Sequence, residues 1–305
     1  MPLTLGLAAM ATRFELVLDG ERAAGEEALE EIAEVERRLS RFRRDALPAR
    51  LERAAAGHEG GARGVVVSRD EMALLDLCRR ACARTGGAFD PALGSAPVSG
   101  WRLDRRARRV VAPAAAARLD LGGVGKGHAL DLAARALRAA GVARALLHGG
   151  TSSVAALGAP PGATAWRVAL RHPADGTRTL ATVELRDLSL SVSATHGRTR
   201  GPVGAGRGHV VDPCSGLPVE TARLAAVVAR HGRVAEAWST ALLVLVERRL
   251  RRGAPVTARS VRLAPNVSAL VAWDDGAGLR VRVLGPKASL FTPAARAGAL
   301  AESRR

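Results

Sequence analysis

Helical and strand-like hydrophobic periods follow one another irregularly along this chain, and that irregularity is what most narrows its fold. Residues 21–43 carry Leu29, Ile32, Val35, Leu39 and Phe42 at helical spacing. Residues 70–84 repeat the pattern with Met72, Leu75 and Cys82 until Thr85-Gly86-Gly87 stops it, as glycine after a helix does. Residues 127–140, opened by a glycine-rich turn, and 234–250 read as two further helices. Strand-like runs lie between them: 3–18 with a break around 8–11, 64–67, a hairpin over 101–111, 143–147, 166–171, 181–185, 188–193, 225–229, 267–273 and 279–284. A Gly/Pro loop at 158–162 separates two of these strands. Strict strand–helix–strand alternation is missing, so the expectation is an α+β fold, a single domain with largely antiparallel sheets and packed helices. That domain is expected over residues 1–292, followed by an Arg/Ala-rich tail over 293–305. With 48% hydrophobic residues, a chain of 305 can bury a sizeable core.

A formal net charge of +17 points first to nucleic acid or acidic membranes. The basic residues, however, are almost all arginine and are scattered along helices and loops of a chain also rich in alanine and glycine. No nucleic-acid motif accompanies them, and no apolar run approaches the roughly 20 residues of a membrane span. Neither a nucleic-acid partner nor a membrane span is expected, although attraction for anionic small ligands follows from the charge. Cys78, Cys82 and Cys214 form neither a disulfide framework nor a CxxC zinc pair and read as thiols of a reducing compartment. Residues 1–10 show no basic start, no cleavage site and no lipid-bearing cysteine, so the expected location is cytoplasmic.

The densest chemistry lies in Gly208-His209-Val210-Val211-Asp212-Pro213-Cys214-Ser215-Gly216-Leu217-Pro218-Val219, where a histidine, an acid and two prolines follow a glycine-rich lead-in. Ordinary turn chemistry accounts for Asp-Pro and Ser-Gly-x-Pro taken alone. His209 titrates near neutral pH and can serve as a general base or as a donor to a phosphate, while Asp212 is suited to orienting the loop by capping backbone amides. Asp120-Leu121-Gly122-Gly123-Val124-Gly125-Lys126-Gly127 lets backbone N–H groups approach an anion at a helix start, although a plain strand-to-helix turn would also use these residues. Lys126 sharpens the first reading, because the chain has only one other lysine, Lys287. Glu236 and Thr240 stand four apart on one helix face. A carboxylate, a hydroxyl and a nearby carbonyl make a hard oxygen set suited to magnesium that also holds phosphates; a solvated charge near a helix start is the plainer alternative.

Those three segments, together with Thr85-Gly86-Gly87-Ala88-Phe89-Asp90-Pro91, occur in an order that resembles the FAD:protein FMN transferase family, often called ApbE-like, over about residues 10–250. The resemblance implies an ApbE-like (T-fold-like) domain with FAD as substrate and Mg2+ as cofactor. It implies that the segment with Gly122, Gly123 and Lys126 lines the flavin nucleotide site, and that Phe89 and Asp90 support the flavin pocket. Met10, Gly149, Gly150, His196, His209 and Asp212 complete the implied cofactor-binding set. His209 and Lys126 are the implied catalytic residues, and the Gly125 carbonyl, Glu236 and Thr240 the implied metal ligands. Several positions depart from the family pattern. Glu236 replaces an aspartate and is longer by one methylene, about 1.5 Å. His196 stands for serine, Thr151 for aspartate, Ala54 for asparagine and Ala11 for glycine.

On this resemblance the chain is expected to cleave the FAD pyrophosphate and attach FMN through a phosphoester to a Thr or Ser of an acceptor protein bearing a flavinylation motif, releasing AMP. Replacement of the acceptor hydroxyl by water would make it an FAD pyrophosphatase. Loss of catalysis through the departures would leave an FAD-binding paralogue. A nucleic-acid-binding role rests on net charge alone.

Overall fold

The computed structural model describes residues 2–58, 64–93, 96–113, 118–195, 210–257 and 260–294. Strands β1 (Leu3–Ala9) and β2 (Thr12–Asp19) form a hairpin, and helices α1 (Arg22–Leu39) and α2 (Leu47–Ala55) follow. Strand β3 (Val65–Val66), helix α3 (Arg69–Arg84), strands β4 (Arg102–Asp104) and β5 (Arg109–Val111), and helix α4 (Gly125–Ala139) complete the first half. Strands β6 (Arg144–Gly149), β7 (Ser153–Leu157), β8 (Trp166–His172), β9 (Asp175–Leu185), β10 (Ser189–Ala194) and β11 (Ala222–Ala229) lead to helix α5 (Gly232–Leu250). Strands β12 (Ser268–Asp274), β13 (Leu279–Leu284) and β14 (Phe291–Pro293) close the described chain. The expected α+β class holds, and every described strand pairing within the sheets is antiparallel.

Eight strands make the main sheet, in the order β1-β2-β6-β7-β10-β11-β12-β13, and two three-stranded sheets, β14-β9-β8 and β3-β5-β4, flank it. Alternate residues of β11 show why the chain reads as apolar without a clear period there. Ala225, Val227 and Ala229 face the core shared with α4 and α5, whereas Leu224, Ala226 and Val228 face a second core against β8, β9 and β14. A strand buried on both faces loses its two-residue signature. The same burial hid β7, an alanine-containing strand with all five residues buried. Helix α1 stops at Leu39 because Ser40 turns extended, so Phe42, which the periodicity places on the helix's apolar face, instead lies beyond it with 84% exposure.

Helices α4 and α5 cross at their N-termini through a pair of glycines. A Cβ on Gly127 would overlap the backbone of Gly232, and one on Gly232 would meet the Gly127 carbonyl oxygen at 2.7 Å. Neither helix caps itself, since Val124 and His231 make no side-chain cap. Each is capped by the other instead. Glu236 Oε2 of α5 accepts from Gly127 N at 2.8 Å, and Asp131 of α4 accepts from Gly232 N at 2.6 Å and Arg233 N at 3.2 Å. These bonds satisfy orphan first-turn donors and place negative charge at the positive ends of both helix dipoles.

Burial pushes the Asp131 carboxyl up to about 6, against the capping amides and Arg233, which pull it down. At the β1–β2 turn, Met10 and Ala11 both adopt positive φ, 51° and 55°, as a two-residue turn of this hand requires.

Gly127→Ala should destabilise the protein by about 1–3 kcal/mol or more in urea unfolding, because a methyl cannot fit against the Gly232 backbone. Ala11→Gly should raise stability by about 0.5–1 kcal/mol in the same measurement, since glycine carries no Cβ penalty at positive φ. For Asp131, the folded value near 6 lies above the ordinary 3.8, so its contribution is complete below about 3.8 and is lost as pH rises through 6. Unfolding of wild type and Asp131→Asn across pH 4 to 7 should therefore show wild type losing stability relative to the variant as pH increases.

Candidate functional site

The α4–α5 crossing gathers the charged heart of the site. Glu236 is 3% exposed, and three donors of the same chain hold its carboxylate: Lys126 Nζ at 2.9 Å and Ser153 Oγ at 2.6 Å on Oε1, and Gly127 N on Oε2. Glu236 is thus a buried, paired carboxylate and not the solvated helix-start charge of the plainer alternative. Its length matters, because it spans from α5 to the first turn of α4. With Gly127 N engaged by Glu236, the N–H groups of Gly125 and Lys126 make no hydrogen bond to another described group, and they are the amides that helix geometry aims at an incoming anion.

One turn along α5, Thr240 lies under the glycine-rich turn. A Cβ on Gly123 would stand 3.4 Å from Phe89 Cε2 and 3.8 Å from Thr240 Oγ1, so the missing side chain keeps the hydroxyl uncovered. Phe89 is 3% exposed and forms the floor beneath this turn. Asp90 is spent on local structure: its Oδ1 accepts from Ala92 N at 3.0 Å and Val98 N at 3.2 Å. The turn itself is fastened at its start. Asp120 N donates to Pro91 O at 2.8 Å, and Asp120 Oδ1 accepts from Gly122 N at 2.9 Å.

Asp120 also receives Arg41 Nη1 at 2.9 Å, and the Arg41 guanidinium lies 4.8 Å from the centre of the Phe42 ring. Of the four phenylalanines and four tryptophans in a chain without tyrosine, Phe42 alone is exposed among the described residues. Neither Arg41 nor Phe42 was marked by any motif. The available signal was the aromatic inventory: a site for flat rings in a tyrosine-free chain must draw on these eight residues or on histidine.

Met10, Gly149 and Gly150 meet at one end of the main sheet. Gly150 N donates to Arg13 O at 2.9 Å, and Gly150, at φ 65°, presses on the Thr12 side chain where a Cβ would clash. Met10 N donates to Glu36 Oε1 at 2.7 Å, which locks the β1–β2 turn onto α1. Ser153, three residues past Gly150, reaches Glu236 from this end. The hydroxyls of the 151–153 segment therefore act through Ser153, a role that spacing alone could not separate from its two neighbours.

Asp212 orients its loop in the way its residue type suggests. Oδ1 accepts from Cys214 N at 2.9 Å, and Arg248 of α5 grips both carboxylate oxygens at 2.7 and 2.6 Å. The same guanidinium donates to Gly86 O at 3.0 Å, tying the loop to the turn that precedes Phe89. Its hydrogen bonds to the Asp212 carboxylate hold that group below the usual carboxylate range. Arg248 went unmarked in the sequence because nothing distinguishes it from the many other arginines. His196 and His209 lie outside the described residues. Among the described residues there is no cluster of three His, Cys, Asp or Glu side chains suited to a metal, and no helix long and apolar enough to cross a membrane.

Comparison with known proteins bears on the family and the fold of the chain. The model of the ApbE family matches residues 10–116 and 97–258. A protein of Treponema pallidum (strain Nichols) named FAD:protein FMN transferase is 30% identical over 280 residues, covering 76% of this chain and 75% of that protein. A Rhodobacter capsulatus protein of the same name is 31% identical over 202 residues, which are 57% of this chain and 38% of the relative. In fold, the chain superposes on the ApbE protein of Thermotoga maritima with a TM-score of 0.79 at 18% identity, covering 96% of this chain and 100% of that one. The flavinyl transferase ApbE of Pseudomonas stutzeri gives 0.75 at 20% identity, with 96% and 98% covered. From the β1–β2 turn to the end of α5, then, sequence profile, motif order and architecture coincide, and the chain belongs to the ApbE family.

Proposed function

We propose that this chain is a transferase that moves the FMN half of FAD onto a Thr or Ser hydroxyl of an acceptor protein and releases AMP. The observation that carries this reading is the pairing of half-buried Lys126 with buried Glu236 at the open N-terminus of α4, one helical turn from the uncovered Thr240 hydroxyl. Free first-turn amides and an ammonium at a helix N-terminus suit a pyrophosphate. The exposed Phe42 ring, held beside that turn through Arg41 and Asp120, suits stacking with one of the flat ring systems of FAD.

The donor set fits a hard divalent cation. Thr240 Oγ1 is left uncovered by Gly123, Glu236 supplies the one carboxylate, and the Gly125 carbonyl lies on the adjoining turn. One carboxylate with neutral oxygens matches magnesium that shares its coordination with substrate phosphates. When bound there, the cation would supply charge neutralisation for the pyrophosphate. The remaining work belongs to the chain. Lys126 adds positive charge, the α4 amides orient the phosphates, and His209 accepts the proton of the attacking hydroxyl.

A second reading is favoured by one observation: three groups of the same chain already engage the Glu236 carboxylate. A protein that keeps Glu236 in that state would bind FAD without cleaving it.

Incubation of the purified protein with FAD and Mg2+, with and without a co-expressed acceptor bearing a Ser/Thr flavinylation motif, separates these readings. The expected result is AMP release matched by covalent flavin fluorescence on the acceptor. AMP without labelled acceptor would indicate hydrolysis, and intact FAD would indicate a binder. Thr240→Ala should lower Mg2+-dependent turnover by at least about 10-fold, and His209→Ala should reduce transfer more than FAD binding; turnover unchanged in Thr240→Ala would remove the metal-ligand assignment.

A further inference from the structure

We propose that Ser193 and Ser239 are positioning residues, which turn the Thr240 hydroxyl so that its lone pairs face the cleft as an oxygen ligand for a divalent cation. This inference rests on the magnesium reading of the site above. It follows from counting protons along a chain of hydroxyls. Ser239, 0% exposed on α5, donates to Glu236 O at 3.1 Å, and a carbonyl oxygen can only accept. A serine has one hydroxyl proton, so the neighbours of Ser239 must donate to it. These are Ser191 Oγ at 3.0 Å and Ser193 Oγ at 2.8 Å, which β10 presents on one face because they stand two residues apart. Ser193 has then used its own proton. Thr240 Oγ1, at a longer 3.4 Å from Ser193 Oγ, can therefore only donate to it. With its proton directed inward, Thr240 keeps both lone pairs for the side left open by Gly123, toward the glycine-rich turn.

The placement of the hydroxyls supports a purpose beyond packing. Positions between a sheet and a helix are ordinarily filled by alanine, valine or leucine, and β11, the strand beside β10, faces α5 in that way with Ala225, Val227 and Ala229. Three serines here satisfy one another and a single carbonyl, and their polarity ends at a partly exposed threonine. A threonine free to rotate would spend part of its time with O–H directed at the cation position, where a proton repels a cation. The chain of bonds removes that orientation.

The test is Mn2+ binding to the flavin-free protein, followed by the EPR signal of free Mn2+, with Mg2+ calorimetry alongside. Thr240→Ala and Ser193→Ala should each weaken Mn2+ binding by about 10-fold or more, the loss typical of removing a group that orients a metal ligand. The double variant should bind no more weakly than Thr240→Ala alone. Ser193→Thr should retain binding and Ser193→Val should lose it; the two side chains match in size, so this pair separates the hydroxyl's role from folding. Ser239→Ala should also weaken binding, because it frees the Ser193 proton to turn toward Thr240. Wild-type affinity in Ser193→Ala and Ser193→Val, with loss in Thr240→Ala, overturns this proposal and leaves the magnesium reading standing. Additive losses in the double variant overturn it as well. Unchanged affinity in Thr240→Ala overturns both.

Discussion

The contact of Gly127 with Gly232 is the constraint on which the rest of the site depends. Backbones approach this closely only where neither residue carries a Cβ, and here the approach brings the first turns of α4 and α5 together. Both helices begin without a cap of their own, and each borrows a carboxylate from the other. The two carboxylates are not equivalent. Asp131 caps α5, and burial raises its affinity for a proton. Glu236 caps α4 and also meets Lys126 and Ser153, so the bond that joins the helices also sets the charge of the cleft.

Charge in this protein is local. A net charge of +17 would suggest a broadly positive surface, yet the arginines nearest the site are committed to particular acceptors. Arg41 is held by Asp120, and Arg248 by Asp212 and Gly86. Such pairs fix loops more than they attract ligands, because each guanidinium is directed at a partner in its own fold. Among the described residues near the site, what remains for an anion is a small set of backbone amides and one ammonium at the start of α4. The lysine there is compact and flexible enough to serve both Glu236 and a phosphate, which an arginine fork would not do equally well.

Much of the fold was legible where a single period ruled. Helices α1, α3, α4 and α5 and most strands lie within a few residues of their expected places, because their apolar residues recur at helical or strand spacing or run unbroken between turn signals. The misses have separate origins. Strand β7 is buried on both faces and so carries no alternation, and α2 was passed over as the segment around Ala54. Phe42 continued the period of α1 but lies outside the helix, because Ser40 turns the chain before it. Periodicity records which residues can share a face and is blind to where the backbone stops being helical.

Residue types, the order of the motifs and the class of fold can be read from the chain before it folds. Those rest on local spacing: a glycine-rich turn before a helix, an acid and a hydroxyl four apart, a loop of Asp-Pro and Ser-Gly-x-Pro. What those groups face depends on how distant segments come together. Glu236 could have been a solvated charge, and it is instead buried against an ammonium and an amide more than a hundred residues earlier. Ser193, Arg248 and Phe42 carry no motif, and Ser153 and Ser239 lie in marked segments whose spacing does not single them out. Their roles arise from contacts between distant segments, and a hydroxyl's polarity or a carboxylate's partner depends on which donors the fold brings within about 3 Å, a quantity that local spacing does not encode.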